Sequence, residues 1–170
     1  MKSSRNIGLA AAIGVLLSLG TATAGNSGNN GWHSNRSLDG TWQFVMTVRF
    51  NAPDCATSDP IPFGPNPFPG LISYHEGGTL NEFASRSPSS VRSTGFGAWE
   101  RTGRNQYVAR YTFMEFDTTG ALWRTMVIQS EIKLDRNGEN YTGVNRLQLT
   151  DTAGTALNFC ATVEGVRFEA

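Results

Sequence analysis

Alternation constrains this chain more than any other feature. From Leu38 to the C-terminus, apolar and polar residues alternate with period two, glycine-containing turns recur at short spacing, and no stretch keeps a helical period. In the first such segment, from Gly40 to about Asn51, Trp42, Phe44, Met46, Val48 and Phe50 share one face. Gln43, Thr47 and Arg49 share the other with Val45. A proline-rich loop from Ala52 to Gly70 follows, then strands over Leu71 to Glu76 and Thr79 to Ser85 around Gly77-Gly78. Beyond the polar loop Arg86 to Thr94, strands are expected over Gly95 to Thr102, Gln106 to Phe116, Leu122 to Leu134, Glu139 to Thr150 and Thr155 to Phe168.

About eight strands joined by short turns make an all-β, antiparallel, up-and-down meander, and eight is a number at which such a sheet closes into a barrel. Closure also removes the unpaired edges of an open meander. Register offers a check. Opposing Glu115 with Leu122 pairs Phe113 with Arg124, Tyr111 with Met126 and Ala109 with Ile128. Onward, Ile132 opposes Tyr141, Met126 opposes Leu147, Leu147 opposes Phe159 and Leu149 opposes Leu157. The apolar face then stays on one side through four strands, and a slip of one residue would reverse it. Trp99 falls opposite Ala109, and Cys160 falls on the outer face, within reach of the loop that carries Cys55.

The N-terminus reads separately. Lys2 and Arg5 precede an apolar run, Ile7 to Leu19, and the small-residue site Ala22-Thr23-Ala24. This pattern predicts a signal peptide over residues 1–24, cut before Gly25, rather than an uncleaved anchor, because the run is short for a membrane span. Residues 25–37, rich in Gly, Asn and Ser, read as a flexible leader, and 38–170 as the barrel domain. No later segment is apolar enough to span a bilayer as a helix. The expected location is therefore exported, periplasmic or extracellular. There Cys55 and Cys160 pair as a disulfide rather than remain free thiols.

Composition excludes some partners. Removing Lys2 and Arg5 takes the basic count from 14 to 12 against 14 acids, so the mature charge is about −2. With no basic excess to neutralise phosphates, a nucleic-acid partner is not expected. Two histidines and two paired cysteines supply no convincing metal set, so neither metal nor cofactor is expected. No Gly-x-Ser-x-Gly elbow occurs, and no glycine-rich phosphate loop opens a helix. His75 and Glu76 border a hairpin at the closed end, and His33 lies in the leader, so no catalytic residue is assigned.

Leu38-Asp39-Gly40-Thr41-Trp42 resembles the Gly-x-Trp opening of lipocalins and related calycins. In that family the tryptophan plugs the barrel floor and a basic residue late in the last strand stacks on it. The resemblance assigns these roles to Trp42 and to Arg167 in Val166-Arg167-Phe168. The chain from Tyr74-His75-Glu76-Gly77-Gly78-Thr79-Leu80 onward also looks like small exported bacterial proteins of lipocalin-like type. It departs from lipocalins in lacking a helix near the last strand and a Thr-Asp-Tyr-type motif. Allene oxide cyclase-like barrels share the eight-stranded architecture and remain a rival resemblance.

Topology places the two long loops at the end opposite Trp42, where small barrels build ligand sites. The residues expected to face a ligand are Phe50, Phe113, Glu115, Arg124, Met126 and Leu147, with Asn145 deeper. Glu115 and Arg124 read either as a polar anchor for a ligand or as a self-satisfied ion pair. The leading expectation is a non-enzymatic binding barrel for a small hydrophobic or amphipathic molecule. The alternatives are a cyclase or isomerase of the allene oxide cyclase-like kind, which moulds a reactive lipid or polyketide, and a structural barrel with a filled core.

Overall fold

The computed structural model describes residues 37–88 and 90–168. The expected signal peptide, and the leader apart from Ser37, lie outside the described residues. Eight antiparallel strands form one closed up-and-down barrel in which each strand pairs with its sequence neighbours and the last pairs with the first. They are β1 (Gly40–Phe50), β2 (Phe68–Tyr74), β3 (Thr79–Ala84), β4 (Gly95–Gly103), β5 (Gln106–Phe116), β6 (Leu122–Leu134), β7 (Asn140–Asp151) and β8 (Ala156–Arg167). A single 3-10 turn, Cys55–Thr57, lies in the loop after β1. The all-β closed barrel expected from alternation is the fold observed. β2 starts at Phe68, three residues before the strand expected there.

Inward faces follow the alternation. Trp42, Phe44, Met46 and Val48 of β1 are buried while Gln43, Val45 and Thr47 are not. The lower half of the lumen is filled by Trp42, Phe44, Tyr74, Leu80, Tyr111, Ile132, Leu134 and Tyr141. Each large side chain buried there contributes roughly 1.5–3 kcal/mol relative to exposure. Burial pushes the hydroxyls of Tyr74, Tyr111 and Tyr141 above the ordinary tyrosine range, with the neighbouring tyrosines and Glu82 adding to the rise for Tyr74 and Tyr111.

Several registers differ from those expected. Glu115 opposes Arg124, Phe113 opposes Met126 and Tyr111 opposes Ile128. Across the next ladder Leu134 opposes Tyr141 and Ile128 opposes Leu147. Both ladders are displaced by two residues from the expected pairing, so every side chain keeps its face. Turn length is the cause in the second ladder, and turn length with a bulge at Trp123 in the first. Asp117 bonds Ala121 across a three-residue turn, and Asp135 bonds Asn140 across a four-residue turn. Trp99 opposite Ala109, Leu147 opposite Phe159 and Leu149 opposite Leu157 agree with the expected register.

At the floor, Trp42 is fully buried and its indole N–H donates to the Leu38 carbonyl at 2.9 Å. The Arg167 guanidinium sits 4.3 Å from the Trp42 ring centre. It donates to the carbonyls of Gly138, Asp39 and Ser37. The sequence ends of the barrel, 37–40 and 167, are thus tied together beneath the tryptophan. Cys55 and Cys160 form a disulfide with Cα atoms 5.8 Å apart. Cys160 points outward between Arg49 and Arg146, and the 3-10 turn covers it.

Candidate functional site

The end of the barrel opposite Trp42 carries the loops 51–67 and 85–94 and the turns 117–121 and 152–155. Side chains fix the longer loop across the mouth. Asn66 accepts from the Val48 amide at 2.8 Å and donates to the carbonyls of Val48 and Ile61. It thereby occupies the place of a strand partner beside the end of β1. Ile61 donates its own amide to Val48 and buries its side chain. Arg86 joins this loop to the next one, donating to the carbonyls of Pro65 and Phe63 at 2.8 and 3.1 Å. Its guanidinium also lies 5.4 Å from the Phe68 ring centre.

Beneath these loops the lumen holds a cavity of about 250 Å³. One wall, from β1, β7 and β8 with the covering loop, is apolar: Met46, Val48, Ile61, Leu147, Leu149 and Phe159. The opposite wall, from β3, the 85–94 loop and the adjoining ends of β5 and β6, carries every charged group of the cavity: Glu82, Arg86, Arg92, Glu115 and Arg124. Phe113 and Met126 lie between the charged residues. Larger depressions occur on the outer wall, such as the one over Val108, Glu131, Val144 and Thr162, but these are open to solvent rather than enclosed.

The charges pair at two depths. Arg92 Nη2 meets Glu82 Oε2 at 2.5 Å, with both side chains 2% exposed. The Arg92 guanidinium stacks 3.7 Å from the Phe113 ring centre. Burial raises the Glu82 carboxyl above its ordinary value, against the pull of the Arg92 charge and hydrogen bond. Gly95 makes room for that carboxylate, since a Cβ there would stand 2.7 Å from Glu82 Oε2. Nearer the mouth Arg124 donates through Nε to Glu115 Oε2, and Ser87 donates to Glu115 Oε1 at 2.7 Å. Arg124 also stacks 3.9 Å from the exposed Trp123 ring. Burial lowers the Arg86 guanidinium from its ordinary value, opposed by Glu115 and aided by the like charge of Arg124.

Five of the residues expected from sequence line this cavity together: Phe113, Glu115, Arg124, Met126 and Leu147. Glu115 and Arg124 are direct cross-strand partners rather than the diagonal neighbours expected, a result of the two-residue displacement of that ladder. Phe50 does not line the cavity. It is 47% exposed, because β1 ends there and the chain turns out toward the 3-10 turn. Asn145 is fully buried one layer lower, beside a void of only about 10 Å³, where its amide donates to Met46 sulfur at 3.8 Å. His75 belongs to the hairpin at the closed end, where its carbonyl accepts from Trp99.

The expectation omitted Glu82, Arg86, Ser87 and Arg92. Glu82 carried a signal, since it shares the inward face of β3 with Leu80 and Ala84. Arg92 carried none: it comes from a polar loop without period, and only its bridge to Glu115 turns it into the barrel. Among the described residues no three His, Cys, Asp or Glu side chains converge as a metal set. No helix among them is long and apolar enough to cross a membrane. Comparison with known proteins finds no family model, no curated protein and no solved structure that matches this chain significantly.

Proposed function

We propose that this protein is an exported, non-enzymatic barrel that holds a small amphipathic molecule in its mouth cavity. The carrying observation is the partly enclosed 250 Å³ space with an apolar wall facing a charged one. A barrel built only for stability has no need of that space, because unfilled lumen forfeits packing contacts. The volume lies just below the usual 300–1,000 Å³ of small-molecule pockets. At about 30 Å³ for each water-sized group, it suits a ligand of roughly eight to ten heavy atoms. Exposed apolar side chains around the mouth, Phe50, Phe63, Leu122, Trp123 and Leu157, give such a molecule an apolar approach. The disulfide supports the export reading, since such bonds persist in oxidising compartments. Glu82 and Glu115 each engage an arginine, so neither favours proton-transfer chemistry over binding.

The methionines supply the test. Met46 and Met126 line the cavity, whereas Met114 lies exposed on the outer wall. With methyl-labelled methionine, titration with octan-1-ol and with indole is expected to shift the Met46 and Met126 resonances and leave Met114 in place. Leu147→Trp, which fills the lumen, is expected to abolish those shifts. If neither compound moves the two lumen methyls, the binding reading fails.

A further inference from the structure

We infer that the ligand of this cavity is an anion: a small amphipathic carboxylate whose acid group lies against the arginine wall and whose apolar body lies against β1, β7 and β8. This rests on the binding reading above and narrows its ligand class. Charge balance is the first observation. The cavity lining holds three guanidinium groups, Arg86, Arg92 and Arg124, and only two carboxylates, Glu82 and Glu115. Each carboxylate already takes an arginine. Among the described residues Arg86 donates to the neutral carbonyls of Pro65 and Phe63. Glu115 is shared between the fields of Arg124 and Arg86, so the lining carries one positive charge in excess, and partial burial disfavours that excess unless an anion arrives. Asp151 faces Arg124 across the ladder but stands outside the cavity lining, with its carboxylate turned to the amides of Ala153 and Thr155.

The second observation is independent. Arg92 Nη1 is shielded from solvent and has no hydrogen-bond partner among the described residues. A buried unmade donor is costly, more so when charged, and such groups call for an explanation. Arg92 lines the cavity and Nη2 of the same group is held by Glu82, so Nη1 is the donor left over on this wall. A carboxylate brings both the negative charge and the paired acceptor oxygens that guanidinium donors favour. An amine would add to the local positive excess. An alcohol would bring no charge to offset Arg86.

The test compares three eight-carbon compounds on the full chain: octanoate, octan-1-ol and octylamine, titrated by calorimetry with the methionine methyls read in parallel. Octanoate is expected to bind at least tenfold more tightly than octanol, and octylamine more weakly than either. Arg86→Gln is expected to reduce the preference for octanoate over octanol severalfold. Leu147→Trp is expected to remove octanoate binding. Octanol binding as tightly as octanoate, or an unaltered preference in Arg86→Gln, overturns the anion inference while leaving lumen binding standing, and octanoate binding that survives Leu147→Trp puts the carboxylate outside the lumen and overturns the anion inference. Silence of Met46 and Met126 toward all three compounds overturns both.

Discussion

Glu82 and Arg92 pair at 2.5 Å with almost no exposed surface, in the middle of an apolar lumen. Taking two charges out of water costs several kcal/mol each, and their attraction only roughly repays it. Removing one partner therefore does much more harm than removing both. Arg92→Leu is expected to lower the unfolding free energy by about 3–5 kcal/mol, because it strands the Glu82 carboxylate. The double variant Glu82→Met, Arg92→Leu is expected to fold at least as stably as the wild type, or up to about 4 kcal/mol more stably. Urea unfolding of the two single variants and the double measures this, and additive losses would show that the pair is not a coupled unit. The pH dependence has a definite sign. Burial raises Glu82 in the folded state, so the folded chain keeps a proton that the unfolded chain has released between the ordinary glutamate value and the raised one. Its contribution is fully present below the unfolded value and is lost as pH rises through the folded one. Against Glu82→Gln, the wild type is expected to lose stability across that window. A gain would mean that Arg92 holds the carboxyl low instead.

At the level of strands and turns, two cross-strand pairs set an aromatic ring over a glycine: Phe44 over Gly70 and Tyr141 over Gly165. A Cβ added at Gly165 would stand 2.2 Å from the Tyr141 ring, and one at Gly70 would stand 2.3 Å from the Phe44 ring. The missing side chain is what lets a bulky ring lie flat inside so narrow a barrel. Gly165→Ala is expected to cost about 1–3 kcal/mol by overpacking. Adding Tyr141→Leu should return part of that loss, and a loss unaffected by the second change would place its origin in the backbone rather than the ring. The same scale explains what alternation could and could not reveal. It marks faces, so Phe113, Glu115, Met126 and Leu147 were legible as inward. It does not count residues in a turn. The three-residue turn after Asp117 would by itself reverse the faces of β5 against β6. A bulge restores them: Phe116 opposes Leu122 and Glu115 opposes Arg124, leaving Trp123 as the extra residue. No pattern in the sequence announces such an insertion, and an assumed tighter turn kept the right faces in the wrong pairs. Nor does alternation say where a strand leaves the barrel, which is why Phe50 carries inward parity and yet lies exposed at the rim.

For the molecule as a whole, stability and the mouth are linked through one covalent bond. The floor closes on itself through Arg167, which joins the chain before β1 to the end of β8. The mouth has no such closure from the ladder, because loops rather than paired strands cover it. The Cys55–Cys160 disulfide takes that place, fastening the 3-10 turn to the outer side of β8 across 105 residues of chain. In the chain-entropy model, a loop of that length stabilises the fold by about 4–5 kcal/mol. The double variant Cys55→Ser, Cys160→Ser is expected to lose about that much in urea unfolding. The loss should not be confined to the global transition. Freed from β8, the segment around 52–60 keeps only its local bonds, among them Ser58 to the Phe50 carbonyl at 3.0 Å and the Arg49 guanidinium to the Ser58 carbonyl at 2.6 Å. Amide exchange in that segment is expected to accelerate by more than the global loss accounts for, whereas the Ile61 and Asn66 contacts to Val48 hold the cavity cover in place. Ligand affinity for the variant should then stay within about threefold of wild type, well under the tenfold that about 1.4 kcal/mol represents. If affinity instead falls in step with stability, the disulfide is shaping the cavity itself, and the cover over Ile61 depends on the bond rather than on Asn66.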